Sequence, residues 1–347
     1  MLSGNQGPGR NGATTHDAFC KVLVIDLCEQ YRPLTVAVTG SRGYLGAELV
    51  KRLQEFGARV LEISRQPLAQ NRGTTTICAD LSQESGWEEI VPFADVVFHL
   101  AGNTSVRTAE ENSSSSLTSS VLPIIRLIDS ARRHARKPRV VLASTATVYG
   151  LTSFLPVSEQ MTPSPLTNYD LHKWFAEQQL LLAVREGVLA GSCLRLSNVY
   201  GPSTASSTSK DRGVINRIAS MALNGEPIQT FGGGNCRRDY IYISDVIDAF
   251  CYAGVAEGIS GRVFNIGSGK GMLIADAHRC IAKLVTDQTG RPVNIVQTPN
   301  PTHTHPIENR DFVADISSFK ELTTWFPRID FQTGITLLLK HLSHSSI

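Results

Sequence analysis

No stretch of this chain is long and apolar enough to cross a bilayer, which takes about 20 consecutive apolar residues. Val22-Leu23-Val24-Ile25 is a short apolar island, broken at once by Asp26. Charge of one sign is also missing: 33 Lys and Arg stand against 31 Asp and Glu, a formal net charge of +2. That balance gives no reason to expect nucleic acid or a membrane surface as a partner. The seven cysteines (Cys20, Cys28, Cys78, Cys193, Cys236, Cys251, Cys280) never fall in C-x-x-C spacing. They read as free thiols in a reducing cytoplasm, and neither as a disulfide framework nor as a zinc site. His303 and His305 lack a nearby third ligand, so no metal is expected. The first 18 residues are rich in Gly, Asn and Thr and are expected to be disordered. They lack the basic start and apolar core of a secretory signal.

What is present suits one large α/β unit with a smaller appended lobe, for which 347 residues suffice. Strand and helix patterns alternate up to about residue 200, as a doubly wound parallel sheet requires. Val36-Ala37-Val38-Thr39, Val60-Leu61-Glu62-Ile63, Val96-Val97-Phe98-His99-Leu100 and Val140-Val141-Leu142-Ala143 read as buried strands. Residues 121–134 and 174–185 carry large apolar faces at helical spacing. Ser113–Ser120 and residues 203–209 read as low-complexity serine loops. Cys20 to Tyr31 shows no decisive pattern.

The first strand runs directly into Gly40-Ser41-Arg42-Gly43-Tyr44-Leu45-Gly46, and an amphipathic helix follows through Ala47, Leu49, Val50, Leu53 and Phe56 to Gly57. Strand, glycine turn, helix is the context of a dinucleotide-binding fingerprint. Gly40 permits the tight turn, Gly43 lets the backbone approach a pyrophosphate, and Gly46 allows close helix–strand packing. The helix N-terminus then offers its unpaired N–H groups to the phosphates.

Tyr169 and Lys173 stand one helical turn apart and share a face. A lysine ammonium beneath a tyrosine favours phenolate and lowers a pKa that starts at about 10. Ser144-Thr145 lies upstream, and the Thr145 hydroxyl, folded alongside, can hold a substrate oxygen whose proton moves.

Together these residues resemble the extended short-chain dehydrogenase/reductase family, the NAD(P)-dependent nucleotide-sugar epimerases, dehydratases and reductases. The resemblance runs from about Leu34 to Asp315. It continues through Asp80-Leu81, His99-Leu100-Ala101-Gly102, Ser144-Thr145-Ala146-Thr147-Val148-Tyr149-Gly150 and Tyr169-Asp170-Leu171-His172-Lys173. Further pieces are Arg195-Leu196-Ser197-Asn198-Val199-Tyr200-Gly201-Pro202, Arg238-Asp239-Tyr240-Ile241-Tyr242 and Asn265-Ile266-Gly267-Ser268-Gly269. It implies a Rossmann-type doubly wound parallel sheet with a smaller C-terminal substrate-binding lobe. The expected organisation is an N-terminal extension at 1–33, partly disordered, an NAD(P)-binding domain at 34–200, and a lobe at 201–347 with segments returning to the first domain. The resemblance also implies a homodimer through the helices near 121–134 and 174–185.

By the same resemblance, Thr145, Tyr169 and Lys173 are the catalytic residues. Gly40, Ser41, Arg42, Gly43, Tyr44, Leu45, Gly46, Asp80, Leu81, Leu100, Ala101 and Gly102 hold the cofactor together with Tyr169 and Lys173. At the end of the second strand, where an acidic residue selects NAD, stand Ser64 and Arg65. They favour NADP, with Arg42 near the same corner, and NAD stays open. Ser105, Thr145, Asn198, Val214, Arg217, Arg238 and Glu308 are the expected contacts of a nucleotide-diphosphate sugar. The family's Arg-Pro-x-Asp/Glu reads His305-Pro306-Ile307-Glu308 here, without the arginine. Ala146 and Thr147 replace the acids of the dehydratases and decarboxylases. Two reactions remain: 4-epimerisation of a nucleotide sugar, and NADPH-dependent reduction of a 4-keto-6-deoxy sugar. Relatives that bind NADP only as regulators lose the tyrosine or the lysine, and this chain keeps both.

Overall fold

The computed structural model describes residues 27–67, 73–204, 207, 213–301 and 305–344. Seven strands form one parallel sheet: β1 (Thr35–Thr39), β2 (Arg59–Ser64), β3 (Thr74–Cys78), β4 (Val96–His99), β5 (Arg139–Thr145), β6 (Ala190–Leu196) and β10 (Val263–Ile266). Their order is β10-β6-β5-β4-β1-β2-β3. Val36, Ala37 and Val38 are all buried, as are residues 140–144. Strands covered on both faces need such unbroken apolar runs. The order reverses between β1 and β4, and sheets of this kind bind ligands at such a point, outside the carboxyl ends of the strands.

One face of the sheet packs on α1 (Tyr44–Glu55) and α7 (Ile243–Val255), the other on α4 (Leu122–Arg133) and α5 (Asn168–Arg185). Residues 27–31 are helical and belong to the first of these cores, with Leu27 and Tyr31 buried. The Tyr31 hydroxyl donates to the Cys251 carbonyl at 2.6 Å. A Cβ at Gly254 would lie 2.0 Å from the Tyr31 oxygen and 2.7 Å from Phe98, so α7 admits that ring only through a glycine. Residues 1–26, expected to be disordered over their first 18, lie outside the described residues.

Ser113–Ser120 corrects the serine-loop reading, because it is a helix, α3. Serine has middling helix propensity and competes for backbone bonds, yet two tertiary features hold it. The Asn112 side chain caps it by accepting from the Ser115 amide at 2.9 Å. Ser116 and Ser120, one turn apart, are buried, and the Ser116 hydroxyl meets His172 Nδ1 of α5 at 3.0 Å. Small side chains let the two helices approach closely. Ahead of it, α2 (Val106–Glu111) completes the connection from β4.

The second lobe is built from β7 (Asn198–Tyr200), β9 (Arg237–Tyr242) and β11 (Gly271–Leu273), ordered β11-β9-β7, and from the pair β8 (Ile228–Phe231) and β12 (Ile295–Thr298). The helices α6 (Val214–Leu223), α8 (Ile274–Thr289), α9 (Ser317–Thr323) and α10 (Phe331–His344) accompany them. Asp239 ties this lobe together. Its buried carboxylate accepts from the amides of Ser268 (2.7 Å), Gly269 (3.1 Å) and Ala314 (3.0 Å), and from the Ser268 hydroxyl (2.7 Å). No described helix is long and apolar enough to cross a membrane.

Candidate active site

The glycine turn sits at the point where the strand order reverses. Gly40 has φ +66°, a left-handed conformation that favours glycine, and its Cβ position would lie 3.0 Å from the Ala101 amide. A Cβ at Gly46 would lie 2.1 Å from the Gly40 carbonyl oxygen, so no side chain fits where α1 meets the turn. Ser41 is buried and donates to the Ile63 carbonyl at 3.2 Å. Tyr44 reaches across to the second lobe and donates to the Gly201 carbonyl at 2.8 Å. Arg42 and Leu45 are half-buried, and the Arg42 carbonyl accepts from Ser207 at 3.3 Å. The other serine segment, at 203–209, therefore reaches this turn, although residues 205, 206, 208 and 209 lie outside the described residues.

A clamp that the sequence reading missed closes the other side of the turn. Thr39 Oγ accepts from the amides of both Leu100 and Ala101 at 3.1 Å. Those bonds use both of its lone pairs, so its proton goes to His99 Nδ1, 3.0 Å away. His99 must then be neutral with its hydrogen on Nε2. Burial pushes its pKa down to about 3, and the charge of Lys173 adds to the fall. The signal lay in the sequence as a threonine before the glycine turn and a histidine before Leu100.

Ser64 ends β2, and its hydroxyl accepts from the Gln66 amide at 3.2 Å. Arg65 and Asp80 are exposed beside it. Hydrogen bonds from the Ser82 hydroxyl and amide hold the Asp80 carboxyl below its usual range, with Arg65 adding its charge. Leu81 is buried, and its carbonyl accepts from Trp87.

Thr145 is the last residue of β5. Its hydroxyl accepts from the Thr147 amide at 3.2 Å and pairs with the Thr147 hydroxyl at 2.8 Å. The helix α5 begins under a Thr167 cap, which accepts from the Asp170 amide at 3.1 Å, and so presents Tyr169 in its first turn. Lys173 is buried and donates to the Ala143 carbonyl at 3.2 Å. A Cβ at Gly102 would lie 3.6 Å from the Lys173 ammonium, so the Leu100-Ala101-Gly102 turn runs from the glycine loop to this lysine. Burial pulls Lys173 down to about 8, against the charge of Glu177. Asp170, fully buried beside Tyr169, has its carboxyl raised by burial, opposed by the nearby Thr147 and Thr167 hydroxyls and the Arg310 guanidinium.

The expected substrate contacts are distributed more widely. Asn198 donates to the Asp239 carbonyl at 3.0 Å. Ser105 caps α2, accepting from the Thr108 amide. Val214 and Arg217 stand exposed on the first turn of α6. Arg238 is buried and bonds the carbonyls of Glu308 (2.7 Å) and Arg310, so it fastens the 306–310 segment. The Glu308 side chain is exposed in that segment. Arg310, which the sequence reading passed over, brings a second guanidinium here. Burial and the charge of Arg238 push it down to about 10. The charges of Glu308 and Asp170 act in the opposite direction. His305 accepts from the Ile307 amide, and the described residues contain no cluster of three or more His, Cys, Asp or Glu side chains placed to hold a metal ion.

A doubly wound sheet with a glycine turn at its switch point and a Tyr–Lys pair at its carboxyl edge defines a Rossmann-type enzyme of the short-chain dehydrogenase/reductase kind. Residues 36–267 match the profile of the NAD dependent epimerase/dehydratase family. The chain is 27% identical over 326 residues to the UDP-glucose 4-epimerase of Mycolicibacterium smegmatis, covering 89% of this chain and 98% of the relative. The structure of Thermotoga maritima UDP-glucose 4-epimerase with UDP-glucose aligns at a TM-score of 0.80 and 25% identity, over 90% of this chain and 100% of that one. MoeE5 in complex with UDP-glucuronic acid and NAD aligns at 0.77 and 26% identity, with the same 90% and 100% coverage. The chain belongs to the NAD dependent epimerase/dehydratase family, in its extended short-chain form.

Proposed function

We propose that this protein is an NAD(P)-dependent nucleotide-sugar 4-epimerase with Tyr169 as its acid and base. The observation that carries the reading is the placing of Lys173, buried between the Ala143 carbonyl and the Gly102 turn, one helical turn behind Tyr169. The residues present fit a dinucleotide: the backbone around Gly40, Gly43 and Gly46 leaves no room for side chains where a pyrophosphate would approach. Ser41, Arg42, Tyr44, Leu45, Leu81 and the turn at Leu100-Ala101-Gly102 would line the rest of that site. The cofactor supplies a hydride acceptor and donor at the sugar carbon that bears the reacting hydroxyl. Tyr169 removes the proton from that hydroxyl and returns it. Lys173 favours the phenolate and would hold the nicotinamide ribose, and Thr145 would align the reacting oxygen. Arg310 and Arg238 provide positive charge for a diphosphate, with Ser105, Asn198, Val214, Arg217 and Glu308 around the rest of the substrate.

A second reading, an NADPH-dependent reductase of 4-keto-6-deoxy sugars, is favoured by the missing acid at Ser64 and by exposed Arg65 beside it. Both features suit a ribose phosphate and make NADP the cofactor of choice. Phe175 and Leu182, exposed on α5, support a homodimer through this helix and α4. The free thiols among the described residues suit the cytoplasm. The test is the nucleotide released from purified, denatured protein, followed by turnover assays on UDP-sugars and 4-keto sugars. Retained oxidised cofactor and interconversion of C4 epimers support the first reading. Exchangeable NADPH consumed once per turnover supports the second, and no turnover with either substrate class overturns both.

A further inference from the structure

Behind the Tyr–Lys pair, the same face of α5 carries a third group, Glu177, one turn beyond Lys173. Its side chain is fully buried, and that of Arg195 opposite is 4% exposed. Arg195 binds it through two bonds, Nε to Oε1 at 3.0 Å and Nη2 to Oε2 at 2.6 Å. Ser144 donates a third, to Oε1 at 2.5 Å. Ser144 immediately precedes Thr145, and in the sheet it stands in register with Arg195. Two of the last three residues of β5 are thus held by one helix face, Ala143 through Lys173 and Ser144 through Glu177, and Thr145 follows them. The far side is closed as well. The Arg195 guanidinium lies 4.7 Å over the Tyr149 ring, whose hydroxyl donates to Asn265 at 2.9 Å.

We propose that Glu177, with Arg195 as its fixed counter-ion, is a positioning residue for the acid–base pair. It locks α5 to the carboxyl end of β5 and places a compensating negative charge one turn behind Lys173. The inference rests on the reading of Tyr169 and Lys173 as the acid–base pair. A plain structural ion pair would bond Arg195 and stop there. Glu177 also bonds the residue next to Thr145, and its charge supports a lysine that burial has pulled down to about 8. Among the described residues, the other groups placed near that ammonium are the Ala143 carbonyl of β5, the Gly102 turn with the Ser120 hydroxyl on its flank, and His99 of β4, which is neutral, with Tyr169 one turn ahead on α5. None of them is anionic below the tyrosine's pKa, so Glu177 is the group whose removal costs Lys173 its proton. Burial works against the charge of Arg195, but its bonds to Glu177 outweigh that and keep it protonated.

The test is a direct titration of Lys173 by NMR of lysine side chains labelled with 13C and 15N, assigned with Lys173→Met, in the full chain with and without Glu177→Gln. The expected result is a fall in the Lys173 midpoint of about one unit or more. The pH profile of kcat should narrow from both sides, because the tyrosine loses a cationic neighbour while the lysine loses its proton earlier. An unchanged midpoint overturns the proposal, and so does a uniform loss of kcat with unmoved limbs. Where the single variant does not fold, Glu177→Gln with Arg195→Gln removes both buried charges. A smaller downward shift is then expected, and no shift overturns the proposal. The titration needs no substrate, so the epimerase and reductase readings fail separately, in the turnover assays.

Discussion

Lys173 crosses from α5 to the carbonyl of Ala143, two residues ahead of Thr145, and is buried in doing so. That bond joins the two pieces of chain that carry Thr145 and Tyr169. It also fixes how the site responds to pH. Below about pH 8 the ammonium is present and favours phenolate, and above it the lysine is neutral. Turnover should therefore decline on the alkaline side from about pH 8, and Lys173→Met should abolish that limb. Tyr169→Phe should cost about 10²–10⁴-fold in kcat with cofactor binding retained. Unchanged turnover in the phenylalanine variant would remove Tyr169 from the mechanism.

Cofactor choice is expected to follow Ser64 and Arg65. Arg65→Ala should weaken NADP binding by about tenfold and NAD binding much less, since the guanidinium is needed only for a phosphate. Ser64→Asp should reverse the preference, because a carboxylate there repels a phosphate and bonds ribose hydroxyls. Equal losses for the two cofactors in calorimetric titrations would place the selectivity elsewhere.

Arg310→Ala should weaken binding of a UDP-sugar by about 10- to 100-fold, the usual worth of a charge-assisted bond. Free sugar without the diphosphate should be unaffected. A matching loss for both would mean that the arginine supports the fold of the 306–310 segment only.

Thr39→Val removes the acceptor that the Leu100 and Ala101 amides share, at a cost of about 1–3 kcal/mol in unfolding free energy. Cofactor affinity should fall with it, since that turn faces Gly40. His99 makes the same clamp sensitive to acid. Its folded pKa, about 3, lies below the unfolded value of about 6.5. The stability it confers is thus complete above pH 6.5 and is lost as the pH falls from 6.5 towards 3. A His99→Asn variant should show a flatter dependence of Tm on pH across that interval.

Gly254→Ala should destabilise the protein by about 1–3 kcal/mol, the usual penalty of overpacking. The new methyl collides with the Tyr31 hydroxyl and the Phe98 ring. Pairing it with Tyr31→Phe should recover part of the loss, and denaturant melts of the two variants would show whether it does.

The glycine turn was legible because its constraints are backbone constraints, written in the spacing of Gly40, Gly43 and Gly46. The buried strands were legible for a similar reason, as unbroken apolar runs. Helix α3 was not, since Ser113–Ser120 has no apolar period and is held by an Asn112 cap and by His172, 56 residues away from Ser116. The turn at 27–31 offers only Leu27 and Tyr31 as buried anchors, too few to set a period. Arg310 escaped notice because it lies in irregular chain, held against Arg238 by that residue's bond to the Arg310 carbonyl. The charge on Arg238 was visible in the sequence. That its donors serve backbone carbonyls of the 308–310 segment was not, because only the fold brings Glu308 and Arg310 to it.

The seven-stranded sheet finishes with β10, which pairs with β6 only after the chain has travelled out through β7, α6, β8, β9 and α7. Tyr149 waits for Asn265, and Val157 for the strip of chain at Ala314. A ribosome that has delivered the first 200 residues has therefore made six strands of a sheet that still has an open flank beside Arg195. The large sheet cannot be completed before the first part of the second lobe has been made. A nick anywhere between residues 201 and 262 should leave two fragments interleaved in one sheet, migrating together until they are denatured.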